Sequence, residues 1–149
     1  MDIRHILAPT DFSDRSKQVL SDALELAQTF GATLALLHVL EPSPYLGEFT
    51  PPTMGADLLS DLERQASAAL ARMLPEAQRA TIEVTRSVVM GSPPLKIIET
   101  AEADHADLIV TATHGRTGLS HLVMGSVTER VVRTAPCPVL TIRPAAEPT

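Results

Sequence analysis

Aromatic residues and cysteine are scarce in this chain. Of its 149 residues only 3% are aromatic, and none is tryptophan. The core must therefore be built from Leu, Val, Ile and Ala, which suits helices packed on a sheet. The single cysteine, Cys137, excludes an internal disulfide and favours a reducing compartment. It lies between two prolines with no basic neighbour in sequence, so we interpret it as a small buried hydrophobe rather than a reactive thiol.

Long apolar runs are also missing. The apolar runs that exist are short and typical of strands, so we expect no membrane span. The first seven residues lack the apolar stretch of a signal peptide, and we therefore expect a cytoplasmic protein. The net charge of −6 disfavours general nucleic-acid binding, because an acidic surface repels the phosphate backbone. Backbone N–H groups can still hold a phosphate without net positive charge.

Short apolar runs alternate with amphipathic segments along the chain. Strands are predicted at residues 3–8, 33–40, 82–89, 107–112 and 139–142. Helices are predicted from Ser13-Asp14 to Gly31, over 58–73, after Ser92-Pro93 with Leu95, Ile98 and Ala101 on the inner face, and over 126–134, while residues 42–54 form a proline-rich loop. This order predicts one α/β domain over residues 1–143, with a doubly wound, parallel, five-stranded sheet and helices on both faces. Residues 144–149 are expected to be a disordered tail.

Polar and small residues follow two of the predicted strands. The first strand ends in Pro9, Thr10 and Asp11, and the fourth ends in Ala112 and His114 with a threonine between them. In a doubly wound sheet the ligand lies at the carboxyl ends of the strands, where the winding direction reverses. These two strand ends therefore predict the position of the site.

The fourth strand is followed by a glycine loop over residues 112–126. Gly115 and Gly118 permit backbone conformations in which successive N–H groups converge on an anion. Gly125 leads into a helix, where Ser126 and a glutamate three residues later form a capping-box pattern. The loop and the helix N-terminus could hold a phosphate chain, or the glycines could only make turns and Ser126 only cap. The absence of Gly-Lys-Ser/Thr and of G-x-G-x-x-G excludes a P-loop NTPase and a typical dinucleotide dehydrogenase.

Several stretches resemble the universal stress protein family over about residues 1–143. They are Ile-Leu-Ala-Pro-Thr-Asp at 6–11, Gly-Ser-Pro at 91–93, Thr-His-Gly-Arg-Thr-Gly-Leu at 113–119, Gly-Ser-Val-Thr-Glu-Arg-Val at 125–131 and Ala-Pro-Cys-Pro-Val-Leu at 135–140. The resemblance implies the flavodoxin-like, adenine nucleotide alpha hydrolase-like fold with strand order 3-2-1-4-5. ATP-binding members carry G-x2-G-x9-G-S/T, which Gly115, Gly125 and Ser126 match, whereas Ala112 replaces the first glycine. Its methyl group could crowd the ribose or phosphates, or be tolerated.

The resemblance implies roles for residues on several strand ends. Asp11 would hydrogen-bond the ribose or coordinate a Mg or Mn ion carried with the nucleotide, although it could instead cap the first helix or order the turn at Pro9. The backbone of Val39 would read the adenine edge, and Gly91 would border the base. The complete set of residues expected to line a site for ATP or AMP is Pro9, Thr10, Asp11, Val39, Met90, Gly91, Ala112, His114, Gly115, Arg116, Gly118, Gly125, Ser126, Val127 and Thr128.

The phosphates would be held by the glycine loop and the following helix. By resemblance the phosphate-binding residues are Gly115, Arg116, Gly125, Ser126 and Val127. Arg116, the only Lys or Arg in the loop, could pair with phosphate or face solvent. His114 could contact phosphate or a catalytic water, or could only bond to backbone.

The expected function is adenine-nucleotide binding by a stress-response or signalling module. Members of the family usually form homodimers through the last strand, here Val139–Ile142, and an exposed edge strand is a template for such pairing. Two alternatives remain open: a homodimeric stress protein that binds no nucleotide, and a very slow ATPase, for which we assign no catalytic residue. We expect neither a nucleic-acid partner nor a membrane partner.

Overall fold

The computed structural model describes residues 1–42, 52–74, 81–114 and 124–144. The five strands are β1 (His5–Pro9), β2 (Thr33–Leu40), β3 (Val84–Met90), β4 (Leu108–Ala112) and β5 (Val139–Ile142). The helices in the described segments are α1 (Asp14–Phe30), α2 (Pro52–Met73), α3 (Pro93–Ala103) and α4 (Ser126–Thr134). All strand pairs are parallel, and their order is β3-β2-β1-β4-β5. The expected fold class and strand order are confirmed.

Each face of the sheet buries its own apolar cluster. On one face Leu36 of β2 packs with Leu24 of α1 and Leu70 of α2. On the other face Leu37 packs with Ile97 of α3. Successive strand residues point to opposite faces, so a run of apolar residues in β2 serves both clusters. Each fully buried leucine contributes about 2 kcal/mol to folding by leaving water.

Local sequence signals set the ends of α1. Ser13 precedes the helix with extended backbone, and its Oγ accepts the N–H of Ser16 at 3.2 Å. Gly31 ends the helix in the left-handed region at φ 66°, where a glycine pays no steric cost. Both predicted signals are confirmed. Ser92 also stands at the predicted N-cap of α3, but its side chain makes no capping hydrogen bond.

Two predicted helix details are corrected by the structure. Ala101 is buried on the inner face of α3 as predicted, but the other buried residues are Pro94 and Ile97, whereas Leu95 is 45% exposed and Ile98 only partly buried. Two apolar stripes run along this short helix, and periodicity alone does not choose between them. Helix α2 begins at Pro52, inside the predicted loop, because proline is compatible with a first helical turn. The rest of that loop, residues 43–51, and the predicted tail at 145–149 lie outside the described residues.

A carboxylate ties the starts of β1 and β4 together. Oδ2 of Asp107 accepts the N–H groups of Arg4 and His5 at 2.9 and 3.0 Å. The N–H of Asp107 donates in turn to the carbonyl of His5 at 2.8 Å. These backbone hydrogen bonds favour the ionised carboxylate and lower the pKa of Asp107. The amino-terminal end of the sheet is therefore closed by a charge-assisted clamp.

Candidate functional site

The two predicted strand ends lie side by side at the carboxyl edge of the sheet. β1 pairs with β4 in parallel, with Ile6 opposite Leu108 and Leu7 opposite Ile109. The chain turns from β1 towards β2 and from β4 towards β5, in opposite directions. The winding therefore reverses between β1 and β4, and the structure brings the polar ends of these two strands to that point.

The loop after β1 is held in a defined conformation around Asp11. The Thr10 N–H donates to the carbonyl of Leu37 at 2.8 Å, and the Phe12 N–H donates to Thr10 Oγ1 at 3.1 Å. Asp11 Oδ1 accepts the N–H of Ser13 at 3.0 Å, so the carboxylate orders the turn that follows Pro9, one of the three roles that the sequence left open. Phe12 lies in the left-handed region at φ 63°, which costs a bulky residue about 1–2 kcal/mol.

A chain of hydroxyl groups runs beneath this loop. Thr10 Oγ1 donates to Ser16 Oγ at 2.9 Å, and Ser16 Oγ donates to the carbonyl of Ser13 at 2.8 Å. Thr10 and Ser16 are 8% and 7% exposed, so both hydroxyls are buried and depend on these partners. The hydroxyl of Thr10 thus supports the loop from inside.

His38 joins the same cluster from β2, and the sequence analysis missed it. Its Nδ1 lies 2.8 Å from the carbonyl oxygen of Thr10, so this nitrogen carries the proton. Its ring lies against that of Phe12, with centroids 4.2 Å apart and planes tilted by 31°. Strand alternation supplied a signal, because His38 follows Leu36 by two residues and therefore shares its face.

Helix α4 begins directly beside the end of β4. The Gly125 N–H donates to the carbonyl of Thr113 at 2.8 Å, and Gly125 is the N-cap of the helix. The predicted capping box was wrong: Ser126 is already the first helical residue, and no side chain caps the helix. The N–H groups of Ser126, Val127 and Thr128 are those for which a helix provides no internal acceptor. They form the positive end of the α4 dipole at this edge.

The side chains at the end of β4 have separate tasks. The buried Thr128 hydroxyl donates to the carbonyl of Ala112 at 2.8 Å and so joins α4 to β4. The Ala112 side chain packs against the apolar cluster on the α1 and α2 face. His114 Nδ1 lies 3.1 Å from Thr113 Oγ1. Its Nε2 is buried and has no hydrogen-bond partner among the described residues.

The third part of the edge lies at the ends of β2 and β3. Val39 is opposite Val89, and the Gly91 N–H donates to the carbonyl of Leu40 at 2.9 Å. Gly91 has φ 145°, and a Cβ there would come within 2.8 Å of Cε of Lys96. This position favours glycine because of its backbone conformation, since the flexible end of the Lys96 side chain could move away from a Cβ. Met90, just before it, is 40% exposed.

Three residues of the predicted site belong to the middle of the glycine loop. Gly115, Arg116 and Gly118 lie outside the described residues. Among the described side chains, no three His, Cys, Asp or Glu residues come together as a metal site. None of the helices in the described segments combines the length and apolar character needed to cross a bilayer.

The fold and this edge define the chain as a doubly wound α/β protein of the kind that binds ligands where the strand winding reverses. Comparison with known proteins gives the family. The sequence model of the Universal stress protein family matches residues 2–143 of this chain. Universal stress protein MJ0531 of Methanocaldococcus jannaschii is 35% identical over 141 residues, which cover 94% of this chain and 82% of that protein. The chain belongs to the universal stress protein family.

Solved structures show the same architecture. Universal stress protein UspA from Lactobacillus plantarum superposes with a TM-score of 0.80 at 26% identity, covering 96% of this chain and 99% of that one. A universal stress protein in complex with cAMP superposes with a TM-score of 0.65 at 22% identity, covering 96% and 98% of the two chains. At this level of identity, the similarity to the cAMP complex shows a shared fold.

Proposed function

We propose that this chain binds an adenine nucleotide, ATP or AMP, as a stress-response module rather than as an enzyme. The observation that carries the proposal is the start of α4, which has no capping side chain and lies at the point where the sheet reverses its winding. Such a helix start offers several N–H donors and a positive dipole to a phosphate. A family member in complex with cAMP supports an adenine ligand.

The phosphates would lie at the first turn of α4. Its donors are the N–H groups of Ser126, Val127 and Thr128, while the Gly125 N–H is already occupied by Thr113. His114 Nε2, buried and without a partner among the described residues, suits a contact to a phosphate oxygen. Gly115, Arg116 and Gly118 would complete this cradle, as the family pattern predicts.

The ribose and base would lie towards β1 and β2. Asp11 keeps Oδ1 on the Ser13 N–H, and its carboxylate also suits a ribose hydroxyl, which would donate to it. Val39 would meet the adenine edge, with Pro9 and Thr10 on one side and Met90 and Gly91 beyond it. The Ala112 methyl packs into the core on the α1 and α2 face, which favours tolerance of alanine over crowding of the ligand.

A metal would arrive with the nucleotide. Mg²⁺ is usually held by one or two carboxylates together with substrate phosphates and water. Asp11 alone therefore suits Mg or Mn bound to ATP, and no separate metal site is proposed.

We also propose a homodimer through β5. This strand is at one end of the sheet, and Leu140 within it is 40% exposed. Val132 on the adjacent α4 is 45% exposed as well. An apolar edge strand gains both hydrogen bonds and apolar burial when it pairs with a second copy.

Calorimetry on the purified full chain tests nucleotide binding directly. ATP, AMP and GTP are titrated with and without magnesium, after any copurified ligand has been removed and identified by mass spectrometry. We expect heat from the adenine nucleotides and little from GTP. Absence of heat with ATP and AMP at high micromolar protein, together with no copurified nucleotide, would exclude the proposal.

A further inference from the structure

Both neighbours of Asp11 are contacted by one side chain that the proposed nucleotide site does not use. His38 donates from Nδ1 to the carbonyl of Thr10, the residue before Asp11, at 2.8 Å. Its ring lies 4.2 Å from that of Phe12, the residue after Asp11. The imidazole therefore contacts the residues on both sides of the Asp11 carboxylate, the backbone of Thr10 and the ring of Phe12.

Phe12 would not adopt its conformation without such support. Its φ of 63° is rare for a bulky side chain and persists only where the surroundings hold it. Two contacts support this conformation: the ring of His38 packs against the ring of Phe12, and the backbone N–H of Phe12 donates to Thr10 Oγ1. This left-handed residue follows Asp11 in the turn from β1 into α1, so the conformation of the turn that carries Asp11 depends on it.

The remaining polar contacts lock the same loop from below. Thr10 donates to Ser16, and Ser16 donates to the carbonyl of Ser13. Thr10 Oγ1 also lies 3.6 Å from Sδ of Met73, a second acceptor for its single proton. Two contacts of Thr10 join the loop to the neighbouring strand β2: its N–H donates to the carbonyl of Leu37, and its carbonyl accepts from His38. Only the second of these is made by a side chain.

We infer that His38 is a positioning residue for Asp11, which holds the carboxylate where it accepts a ribose hydroxyl. The inference rests on the proposed nucleotide function and adds a residue that does not touch the ligand. Preorganisation of this kind increases affinity because the loop is already ordered before the ligand binds, so binding does not have to supply the free energy of ordering it. A purely architectural histidine would stabilise the sheet without affecting how the protein recognises the sugar.

The test compares ATP with 2′,3′-dideoxyATP, which lacks the hydroxyls that Asp11 would accept. Both dissociation constants are measured on the full chain, below the unfolding temperature of each variant. We expect the wild type to prefer ATP by about tenfold, the size of one hydrogen bond to a charged group. Asp11→Ala should reduce that ratio to about one, because the acceptor is gone.

His38→Ala should lower the ratio nearly as far as Asp11→Ala does, with dideoxyATP affinity within about twofold of wild type. His38→Asn retains an amide N–H near the position of Nδ1 and should restore more of the ratio than His38→Phe, which retains only a ring. Should His38→Ala fail to fold, Phe12→Gly replaces it. This change removes the ring against which His38 packs and leaves residue 12 free to adopt many φ values, so the loop is no longer held and we expect the same loss of the ratio.

The possible outcomes distinguish failure of the role of His38 from failure of the proposed nucleotide binding. If His38→Ala and Phe12→Gly kept the wild-type preference for ATP over dideoxyATP while Asp11→Ala lost it, the role of His38 would be overturned. Nucleotide binding would be unaffected by that result. Equal ratios in wild type and Asp11→Ala would remove Asp11 from sugar recognition and overturn the inference as well. No binding of either nucleotide to wild type would overturn the proposed function itself, and the inference with it.

Discussion

The N–H of Gly125 donates to the carbonyl of Thr113 at 2.8 Å, so α4 starts against the end of β4. Gly125 is the N-cap, and Ser126 is inside the first turn, where its side chain does not cap the helix. The amide groups of that turn, rather than the serine hydroxyl, are therefore the phosphate donors that we propose.

Ser126→Pro tests this distinction by removing one amide hydrogen. Proline fits the first position of a helix, and Gly125, with φ −60° and ψ 148°, already has the backbone that precedes a proline. We expect the variant to fold with wild-type stability and to bind ATP about tenfold more weakly in calorimetry.

Ser126→Ala is the matched control for that substitution. It keeps the amide and removes only the hydroxyl, so ATP affinity should stay within about threefold of wild type. The opposite pattern, with alanine weakening ATP binding and proline leaving it unchanged, would assign the contact to the side chain and refute the amide assignment.

Gly91→Ala should destabilise the protein. Alanine at φ 145° is strained, and its Cβ would meet Cε of Lys96 at 2.8 Å. We expect a loss of about 1–3 kcal/mol in the free energy of unfolding, measured in urea. Gly55→Ala is the control: this helical glycine has nothing within 4 Å of an added Cβ, so the change should stabilise by about 0.5–1 kcal/mol. Equal effects at the two positions would contradict the strain argument.

Asp107→Asn should remove stability at neutral pH. The folded protein lowers the pKa of Asp107 through the N–H groups of Arg4 and His5, so it favours the ionised form more than the unfolded chain does. Its contribution is present above the ordinary pKa of 3.8 and is lost as pH falls through the folded value.

The pH dependence of unfolding provides the measurement for Asp107. The difference in unfolding free energy between wild type and Asp107→Asn should be largest near neutral pH and should narrow below about pH 4. Exposed Asp104, three residues earlier, is the control, and Asp104→Asn should change stability by less than about 0.5 kcal/mol. A difference that grows on acidification would reverse the sign that we assign to the clamp.

Leu140→Lys should convert the proposed homodimer into monomers. Lysine on an edge strand opposes pairing with a second copy, and Leu140 is 40% exposed in the single chain. Sedimentation analysis should show half the wild-type mass at micromolar protein. Leu95→Lys, on α3 at 45% exposure, should leave the mass unchanged. A monomeric wild type would exclude the dimer proposal at once.

The parts of the fold that depend on neighbouring residues were predictable from the sequence. Ser13 caps α1 and Gly31 ends it because the relevant chemistry lies within one helical turn. The strands were predictable because buried parallel strands are short apolar runs bounded by turns. The carboxyl-edge position of Thr10 and Asp11 followed from the alternation of strands and helices.

The parts that were missed depend on contacts between distant segments. The helix over 126–134 has its predicted bounds, but Ser126, which matches a capping box locally, is its first residue, and Gly125, bonded to the distant Thr113, is the N-cap. His38 and Thr10 are separated by 28 residues, and only pairing of β1 with β2 brings them together. The roles of Gly115, Arg116 and Gly118 remain predictions from the family pattern.

Hydrogen bonds hold β1 to its neighbours at both of its ends. Asp107 holds its first residues, and the bonds of Thr10 to Leu37 and His38 hold its last. A central strand with no loose end opens only when the whole sheet does, so its amides should exchange with solvent hydrogen at the rate of global unfolding. Asp11 thus follows the strand that we expect to unfold last. Helix α4, in contrast, has only nine residues and lies beside the edge strand β5, so we expect it to unfold locally more often. A nucleotide bridging the two would slow exchange mainly on the α4 side.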